Sequence, residues 1–132
     1  MDNIQDEELR KRILDKIEYI NAHRKAVMDV ARELTGSVPG YLRRHDMDKI
    51  KMLRQGIDPE EVSRRHRAHS PHHPGSDADH YNYDEMIFDW ESAHRTKPDK
   101  PLNAYETMVK YYPELEGTLL PRMRELGLVK DS

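Results

Sequence analysis

The sequence predicts an all-α protein, a single helical domain of about five or six helices over residues 1–132. Apolar residues recur along most of the chain at spacings of three, four and seven, the period of a helix with one buried face. Segments with this period are bounded by Asp, Asn, Pro and Gly, which are typical of helix starts and ends. A chain of 132 residues is long enough for one compact core.

Composition limits the classes of function. The net charge is −3 without a long run of either sign, which predicts neither stable nucleic-acid binding nor membrane association. A local cationic pocket would still admit a small anionic substrate. Cysteine is absent, so disulfides, thiolate metal sites and cysteine nucleophiles are excluded. The acidic N-terminus lacks a signal-peptide core, and we expect a cytoplasmic protein. The oligomeric state stays open.

The first predicted helix covers residues 6–34 and ends before Gly36. His23 lies within its apolar stripe, where a single histidine is most often a hydrogen-bonded core residue. We retain it as a candidate ligand because later helices supply further donors. The stripe consists of Ile13, Ile17, Ile20, Val27, Ala31 and Leu34.

A second helix is predicted over about residues 41–54, with His45, Asp46 and Lys49 on the same face as apolar residues. Ionisable groups on the inward side of a helix are costly to bury unless they are paired or bind a metal. His45 and Asp46 could converge on one ion. The alternative is an ion pair between Asp46 and Lys49 beside a surface histidine.

The third predicted helix begins at Asp58 and Pro59, with a capping box completed by Glu61. It leads into residues 66–73, which hold half of the eight histidines of the chain.

Within that segment His66, His69 and His73 have the spacing i, i+3 and i+7, which places them on one helix face. Aligned imidazoles favour a transition-metal site, although a histidine-rich polar surface is the alternative. Pro71 interferes with the helix, so His72 and His73 are expected at its end or just beyond.

The fourth helix is predicted over residues 83–96. Asp89 lies in its most apolar stretch, and a buried carboxylate needs either a raised pKa or a cation. The basic loop that follows is either a connector or a lid whose Arg95, Lys97 and Lys100 meet an anionic substrate.

Two further helices complete the prediction. Asn103 and Glu106 form a capping box that begins the fifth, and Pro113 begins the sixth, which Pro121 should bend or split. Three tyrosines of this region are expected to serve packing: Tyr105, Tyr111 and Tyr112.

The order of these donors resembles that of the HD-domain superfamily of metal-dependent phosphohydrolases. It is most similar to an uncharacterised family of small, often phage-encoded HD-like helical proteins. The resemblance spans roughly residues 13–126 and implies one HD-like domain. The motifs that carry it are His45-Asp46-Met47-Asp48-Lys49, His66-x-x-His69-x-x-His72-His73-Pro74, and Met86-Ile-Phe-Asp89-Trp90 followed by Arg95-Thr96.

The resemblance implies one or two divalent ions. A first ion would be bound by His23, His45, Asp46 and Asp89. A second ion would be bridged by Asp46 and held by the second histidine motif, through His66 and one or both of His72 and His73. Nitrogen and oxygen donors do not distinguish Mn, Fe, Ni, Mg and Zn.

The resemblance also implies roles around the ions. Lys49 would contact a phosphate or substrate oxygen, and Arg95 or Lys97 would stabilise developing negative charge. His69 would be either a ligand or a proton donor to the leaving group.

The implied activity is hydrolysis of a nucleotide or a small phosphorylated metabolite by a metal-activated water. The Glu-Asp pair of (p)ppGpp hydrolases and the Gly-Tyr-Pro extension of cyclic-dinucleotide hydrolases are both missing. Two alternatives remain: a di-iron oxygenase of the HD type, and a non-catalytic, metal-stabilised helical module that binds a partner.

Overall fold

The computed structural model describes residues 6–97 and 99–129, so the predicted domain limits at residues 1 and 132 lie outside them. Within these ranges the protein has six α-helices, two short 3-10 helices and no strand, which confirms the predicted all-α class. The α-helices are α1 (Glu7–Thr35), α2 (Met47–Arg54), α3 (Pro59–His69), α4 (Tyr83–Thr96), α5 (Ala104–Tyr111) and α6 (Glu116–Glu125); the 3-10 helices are Gly40–Arg44 and Pro113–Leu115.

Local capping explains several helix starts. The side chain of Asp6 accepts hydrogen bonds from the first turn of α1, and Gly36 ends that helix in a left-handed conformation with φ 84°. At α5 the predicted capping box is present, since Asn103 and Glu106 each accept a hydrogen bond from the other's backbone N–H.

The predicted second helix is wrong in its first half. Residues Gly40–Arg44 form a 3-10 helix, and α2 begins only at Met47. The interruption falls at Asp46, whose φ of 59° is left-handed and cannot continue an α-helix.

Pro121 was predicted to bend or split its helix, and the split is wrong, because α6 continues through Pro121 from Glu116 to Glu125. Proline at this position removes a hydrogen bond to the carbonyl of Gly117. Both residues are exposed, so water can satisfy that carbonyl and the cost is limited.

The buried apolar side chains form two clusters, which we call the large core and the small core. The large core joins the C-terminal half of α1 to α4, α5 and α6, with Val27 and Phe88 among its buried members. The small core joins the N-terminal half of α1 to α2 and α3, and consists of Ile13, Ile20, Ile50, Leu53 and Val62.

Helix α1 runs along both cores, and its polar residue His23 lies between Ile20 of the small core and Val27 of the large core. Burying each large apolar side chain contributes roughly 1.5–3 kcal/mol to stability. The packing of the two cores therefore holds the residues at the border between them in place. Across the described ranges, no helix combines the length and apolar character that crossing a bilayer requires.

Candidate metal centre

Histidines and aspartates from several helices converge at the border between the two cores. Helix α1 contributes His23, which is 8% exposed, because its inward stripe faces the interior there. Helix α4 contributes Asp89, whose Oδ1 lies 2.9 Å from His23 Nε2. The two predicted ligands are therefore adjacent, although they are far apart in the chain.

The junction before α2 contributes His45 and Asp46, which are 1% and 3% exposed. Asp46 is the single non-glycine residue with positive φ in the described part of the chain. Aspartate tolerates this conformation better than most residues, but it still costs free energy and is concentrated at functional sites. The left-handed turn leaves the two carboxylate oxygens of Asp46 facing different imidazoles.

The histidine-rich segment reaches the same place with His72 and His73 beyond the end of α3, as the position of Pro71 predicted. Helix α3 ends at His69, and Ser70 caps it with its N–H bonded to the carbonyl of His66. The chain then turns, so that His72 and His73 approach His66 from outside the helix. The predicted i, i+7 relation of His66 and His73 on one helix face is therefore wrong, although all three imidazoles are close neighbours.

The donors form two groups that share Asp46. The His23 group consists of His23, His45 and Asp89, and the His66 group consists of His66, His72 and His73. Asp46 Oδ1 lies 2.9 Å from His66 Nε2 and 3.2 Å from His72 Nε2. Asp46 Oδ2 faces the other group, 3.6 Å from His45 Nε2 and 3.9 Å from His23 Nε2.

Carboxylates fix the orientation of the imidazoles. Glu85 Oε2 lies 2.6 Å from His45 Nδ1 and 3.1 Å from His72 Nδ1. Asp48 Oδ2 lies 2.7 Å from His66 Nδ1. An ionised carboxylate only accepts hydrogen bonds, so each of these Nδ1 atoms carries a hydrogen, and each ring in its neutral form directs its Nε2 lone pair inward.

Glu85 and Asp48 were not predicted as site residues. Glu85 has a recognisable signal in the sequence, since it precedes Asp89 by four residues and so lies on the same face of α4. Asp48 stands inside the motif around His45, but the spacing alone does not show that it contacts His66.

The inward lone pairs leave the centre short of positive charge. Nε2 atoms face each other at 3.3 Å between His45 and His23 and at 3.1 Å between His66 and His72. Asp46 Oδ1 is buried and, among the described residues, accepts no hydrogen bond with acceptable geometry despite its short contacts. Two neutral rings that face each other in this way are unfavourable unless a proton or a metal cation lies between their Nε2 atoms.

The charge balance leads to the same conclusion. Ionised Asp46, Glu85 and Asp89 carry −3 and Lys49, whose Nζ is 3.5 Å from Asp46 Oδ2, carries +1. With neutral imidazoles the buried groups therefore have a net charge of −2. One divalent cation would neutralise it.

The pKa shifts reflect the same imbalance. Burial acts to lower the pKa of His72, but the carboxylates of Asp46 and Glu85 outweigh it and raise this pKa to about 10. Burial acts to raise the pKa of Asp46, but contacts with His66 and His72 outweigh it and hold this pKa far below its usual range. Burial and the neighbouring His72 lower the pKa of His73 to about 4.

The donor geometry suits a metal ion. Ligand atoms about 2.1 Å from one ion lie about 3 Å apart at right angles and about 3.4 Å apart in a tetrahedron. The contacts of 2.9 to 4.0 Å within the two groups lie close to these separations. In each group three donor atoms lie within 4.8 Å of one another. The buried His/Asp cluster could therefore hold a divalent metal ion.

Three ammonium groups lie beside this cluster. The ring of Tyr19 stacks near His23 with centroids 6.5 Å apart. The Nζ atoms of Lys16 and Lys97 lie 4.9 and 4.8 Å from the centroid of Tyr19. Burial, then the charges of Lys49 and Lys97, lower the pKa of Lys16. Several ammonium groups at one edge of a site favour the approach of an anion.

Two predicted site residues lie apart from the donors. His69 is 66% exposed in its side chain, and its Nδ1 pairs with Asp77 at 2.8 Å. Arg95 pairs with Glu33 and Glu91 on the outer side of α1 and α4. His69 lines a pocket together with Asp46 and His66 but is not one of the grouped donors, and two carboxylates already bind Arg95.

Two predicted packing residues prove to border a cavity. Tyr111 is 59% exposed, and Tyr112 stacks on Trp90 at a cavity that reaches His73 and Asp89. The expected packing role fits Tyr112, which stacks on Trp90, but not the exposed Tyr111. Tyr105 does pack against the large core.

Comparisons of the chain with models of protein families, with curated proteins and with solved structures give no match. The resemblance to the HD-domain superfamily thus remains a prediction made from the motifs. Function is therefore inferred from the geometry of the donors and their surroundings.

Proposed function

We propose that the protein is a metal-dependent phosphohydrolase with an HD-type centre, acting on a nucleotide or a small phosphorylated metabolite. The observation that carries the proposal is the position of Asp46, whose two oxygens each face two imidazole Nε2 atoms. Such a carboxylate can bridge two ions, and paired ions are typical of enzymes that cleave phosphate esters.

The proposal assigns His23, His45 and Asp89 to one ion and His66, His72 and His73 to a second, with Asp46 shared. A bound divalent ion lowers the pKa of its water from about 15.7 towards about 7, which supplies a nucleophile near neutral pH.

The chain itself supplies orientation. Glu85 and Asp48 accept the Nδ1 hydrogens and so hold the imidazoles with their Nε2 atoms inward. Ligands fixed in this way need no rearrangement when the ion binds, which favours both affinity and a defined coordination geometry.

The chain also supplies positive charge for the substrate. Lys49 is 16% exposed in its side chain and lies beside Asp46, so its ammonium can bind a non-bridging phosphate oxygen. Lys16 and Lys97 stand at the edge of the same region and raise the local concentration of an anion.

We assign to Lys97 the substrate-binding role that the sequence predicted. His69 lines a pocket with His66, so its role as a proton donor stays a prediction. Arg95 is engaged by two carboxylates.

The direct test is a turnover assay. The purified protein, loaded separately with manganese, iron, nickel, magnesium and zinc, is incubated with a panel of nucleotides and artificial phosphate mono- and diesters. We expect phosphate or nucleoside release that a chelator abolishes and fresh metal restores. Two results would contradict the proposal: metal binding without turnover of any ester, or an iron pair that consumes dioxygen.

Lys49 provides a sharper test within the site. We expect Lys49→Ala to retain its metal but to lose roughly 100-fold in kcat/KM, because a charge that stabilises the transition state is removed. Metal content and steady-state kinetics are measured on the same preparation. Lys51→Ala is the matched control, since Lys51 lies exposed on the same helix. Unchanged kinetics in Lys49→Ala would remove the phosphate-contact role.

A further inference from the structure

A cavity of about 430 Å³ opens between α4, α5 and the segment that joins them, and it reaches the donor cluster. We call it the aromatic cavity. Two donors, His73 and Asp89, form its inner end. A molecule that fills the cavity would therefore lie directly against the proposed metal centre. Its other walls include Trp90, Leu102, Tyr111 and Tyr112.

The walls next to the donors are aromatic. Trp90 and Tyr112 stack with ring centroids 5.3 Å apart and planes only 2° from parallel. Tyr111 borders the same space and leaves 59% of its surface exposed. An exposed aromatic surface that lines a concave site is typical of ligand binding, because flat ligands stack on it while water is displaced.

The mouth of the aromatic cavity carries basic side chains. Arg67 and Lys100 both line it. Arg67 also lies close enough to Lys16 to contribute to the lowering of that residue's pKa, after burial and the other lysines. Asp99 also lines the cavity, so its two cations outnumber the one carboxylate away from the donors. The cavity thus combines an apolar, aromatic surface with an excess of positive charge, and it meets the donor cluster at one end. These features suit a molecule that has a flat ring and a negatively charged group.

The size of the cavity separates this ligand from inorganic phosphate. Ligand pockets typically enclose about 300–1,000 Å³, and the aromatic cavity falls inside that range. Phosphate alone would occupy only the inner end, beside His73 and Asp89. The exposed ring of Tyr111 and the space beside it would then contact only water.

We propose that the aromatic cavity binds a flat ring of the substrate, so that the preferred substrate is a phosphate ester of a ring-bearing group. Only one part of this inference, that the substrate is a phosphate ester, rests on the proposed function. Trp90 and Tyr112 are specificity-determining residues that hold the ring, and Arg67 and Lys100 favour the anionic form.

Trp90 makes the proposal directly measurable, because it is the only tryptophan in the chain. Its fluorescence is followed while metal-loaded protein is titrated with phenyl phosphate, cyclohexyl phosphate and inorganic phosphate. We expect saturable quenching by phenyl phosphate, with a Kd roughly tenfold lower than for cyclohexyl phosphate, the size of one lost stacking contact. Equal Kd values for the two esters would overturn the proposal.

A variant separates stacking from general apolar contact. Tyr112→Ala should weaken phenyl phosphate binding by roughly tenfold and leave cyclohexyl phosphate nearly unchanged. Tyr105→Ala is the matched control, since Tyr105 lies on the neighbouring helix α5 but packs on the large core. Far-ultraviolet circular dichroism verifies that both variants stay helical. A Tyr112→Ala variant that binds phenyl phosphate like the parent protein would contradict the assignment.

Turnover distinguishes this inference from the proposed function. Quenching that prefers the flat ring, without hydrolysis of any ester, would support the aromatic cavity and remove the hydrolase. Hydrolysis of phenyl and cyclohexyl phosphate with equal KM would support the hydrolase and remove the role of the cavity.

Discussion

The His23 group and the His66 group share Asp46 but are held by different parts of the fold. His23, His45 and Asp89 come from α1, from the junction before α2 and from α4, so only tertiary packing brings them together. His66, His72 and His73 lie within eight consecutive residues at the end of α3.

The turn that carries the second group is held by local hydrogen bonds. Ser70 Oγ lies 2.9 Å from His72 Nδ1, and the Ser76 hydroxyl donates to the carbonyl of Ser70 at 2.7 Å. The Tyr81 hydroxyl donates in turn to the carbonyl of Ser76 at 2.7 Å. The first group is thus tied to the stability of the whole domain, and the second depends on a segment that can change alone.

The largest effect is expected from replacing Asp46, the residue that the two groups share. Asp46→Asn should reduce metal affinity by roughly 100-fold or more at both groups, because a neutral amide cannot bridge two cations. Asparagine also tolerates the left-handed conformation, so the fold should persist. Competition with a chromophoric chelator measures affinity, and circular dichroism measures the fold. A loss of metal affinity at only one of the two groups would show that Asp46 is not a shared ligand.

The second prediction compares the stability that is lost when one histidine of each group is replaced. His45→Ala should lower the free energy of unfolding of the metal-free protein by roughly 3 kcal/mol, because it empties a fully buried site and leaves Glu85 with only one of its two imidazole partners. His73→Ala, at a half-buried position, should cost less than about 1 kcal/mol.

Urea denaturation with chelator present measures both values. The number of metal ions bound per protein molecule is then measured for each variant. We expect His73→Ala to lose metal binding only at the His66 group. Equal destabilisation by the two substitutions would contradict the difference between the groups.

The smallest effects concern the orienting carboxylates. Glu85→Gln should weaken both groups by roughly 10- to 100-fold, since Glu85 contacts His45 and His72. Asp48→Asn should weaken only the His66 group, because among the imidazoles Asp48 contacts His66. Isothermal titration with the same metal resolves the two cases. Identical binding curves for the two variants would contradict the assignment of these contacts.

The sequence was sufficient for the helices whose ends depend on side-chain capping. Asp6, Asn103 and Gly36 act within a few residues of themselves, so their effect can be predicted without tertiary information. The break at Asp46 could not be predicted, because the helical period of its neighbours continues across it. A single left-handed residue, stabilised by the surrounding packing, overrides that pattern.

Histidine and aspartate content predicted most of the donors, since ionisable residues within apolar stripes are costly to bury unless they pair or bind a metal. Their surroundings were harder to predict. The residues around Tyr19 and Lys16 in the sequence give no sign of a site. Their place beside the donors becomes visible only because α1 brings the Tyr19 ring close to Lys97 in the fold. Helical spacing predicted that His69 belongs to the site; in the structure it pairs with Asp77 and lines a pocket beside the grouped donors.

The position of the donors along the border between the cores has a mechanical consequence. A metal ion bound there would be ligated by residues adjoining both hydrophobic clusters at once, and would cross-link the two halves of the bundle. Ions that bind only the native state stabilise it in proportion to the logarithm of their affinity. Metal supply would therefore set how cooperatively the domain unfolds. The metal-loaded protein would unfold in a single transition, whereas in the metal-free protein the half that contains the small core would unfold first.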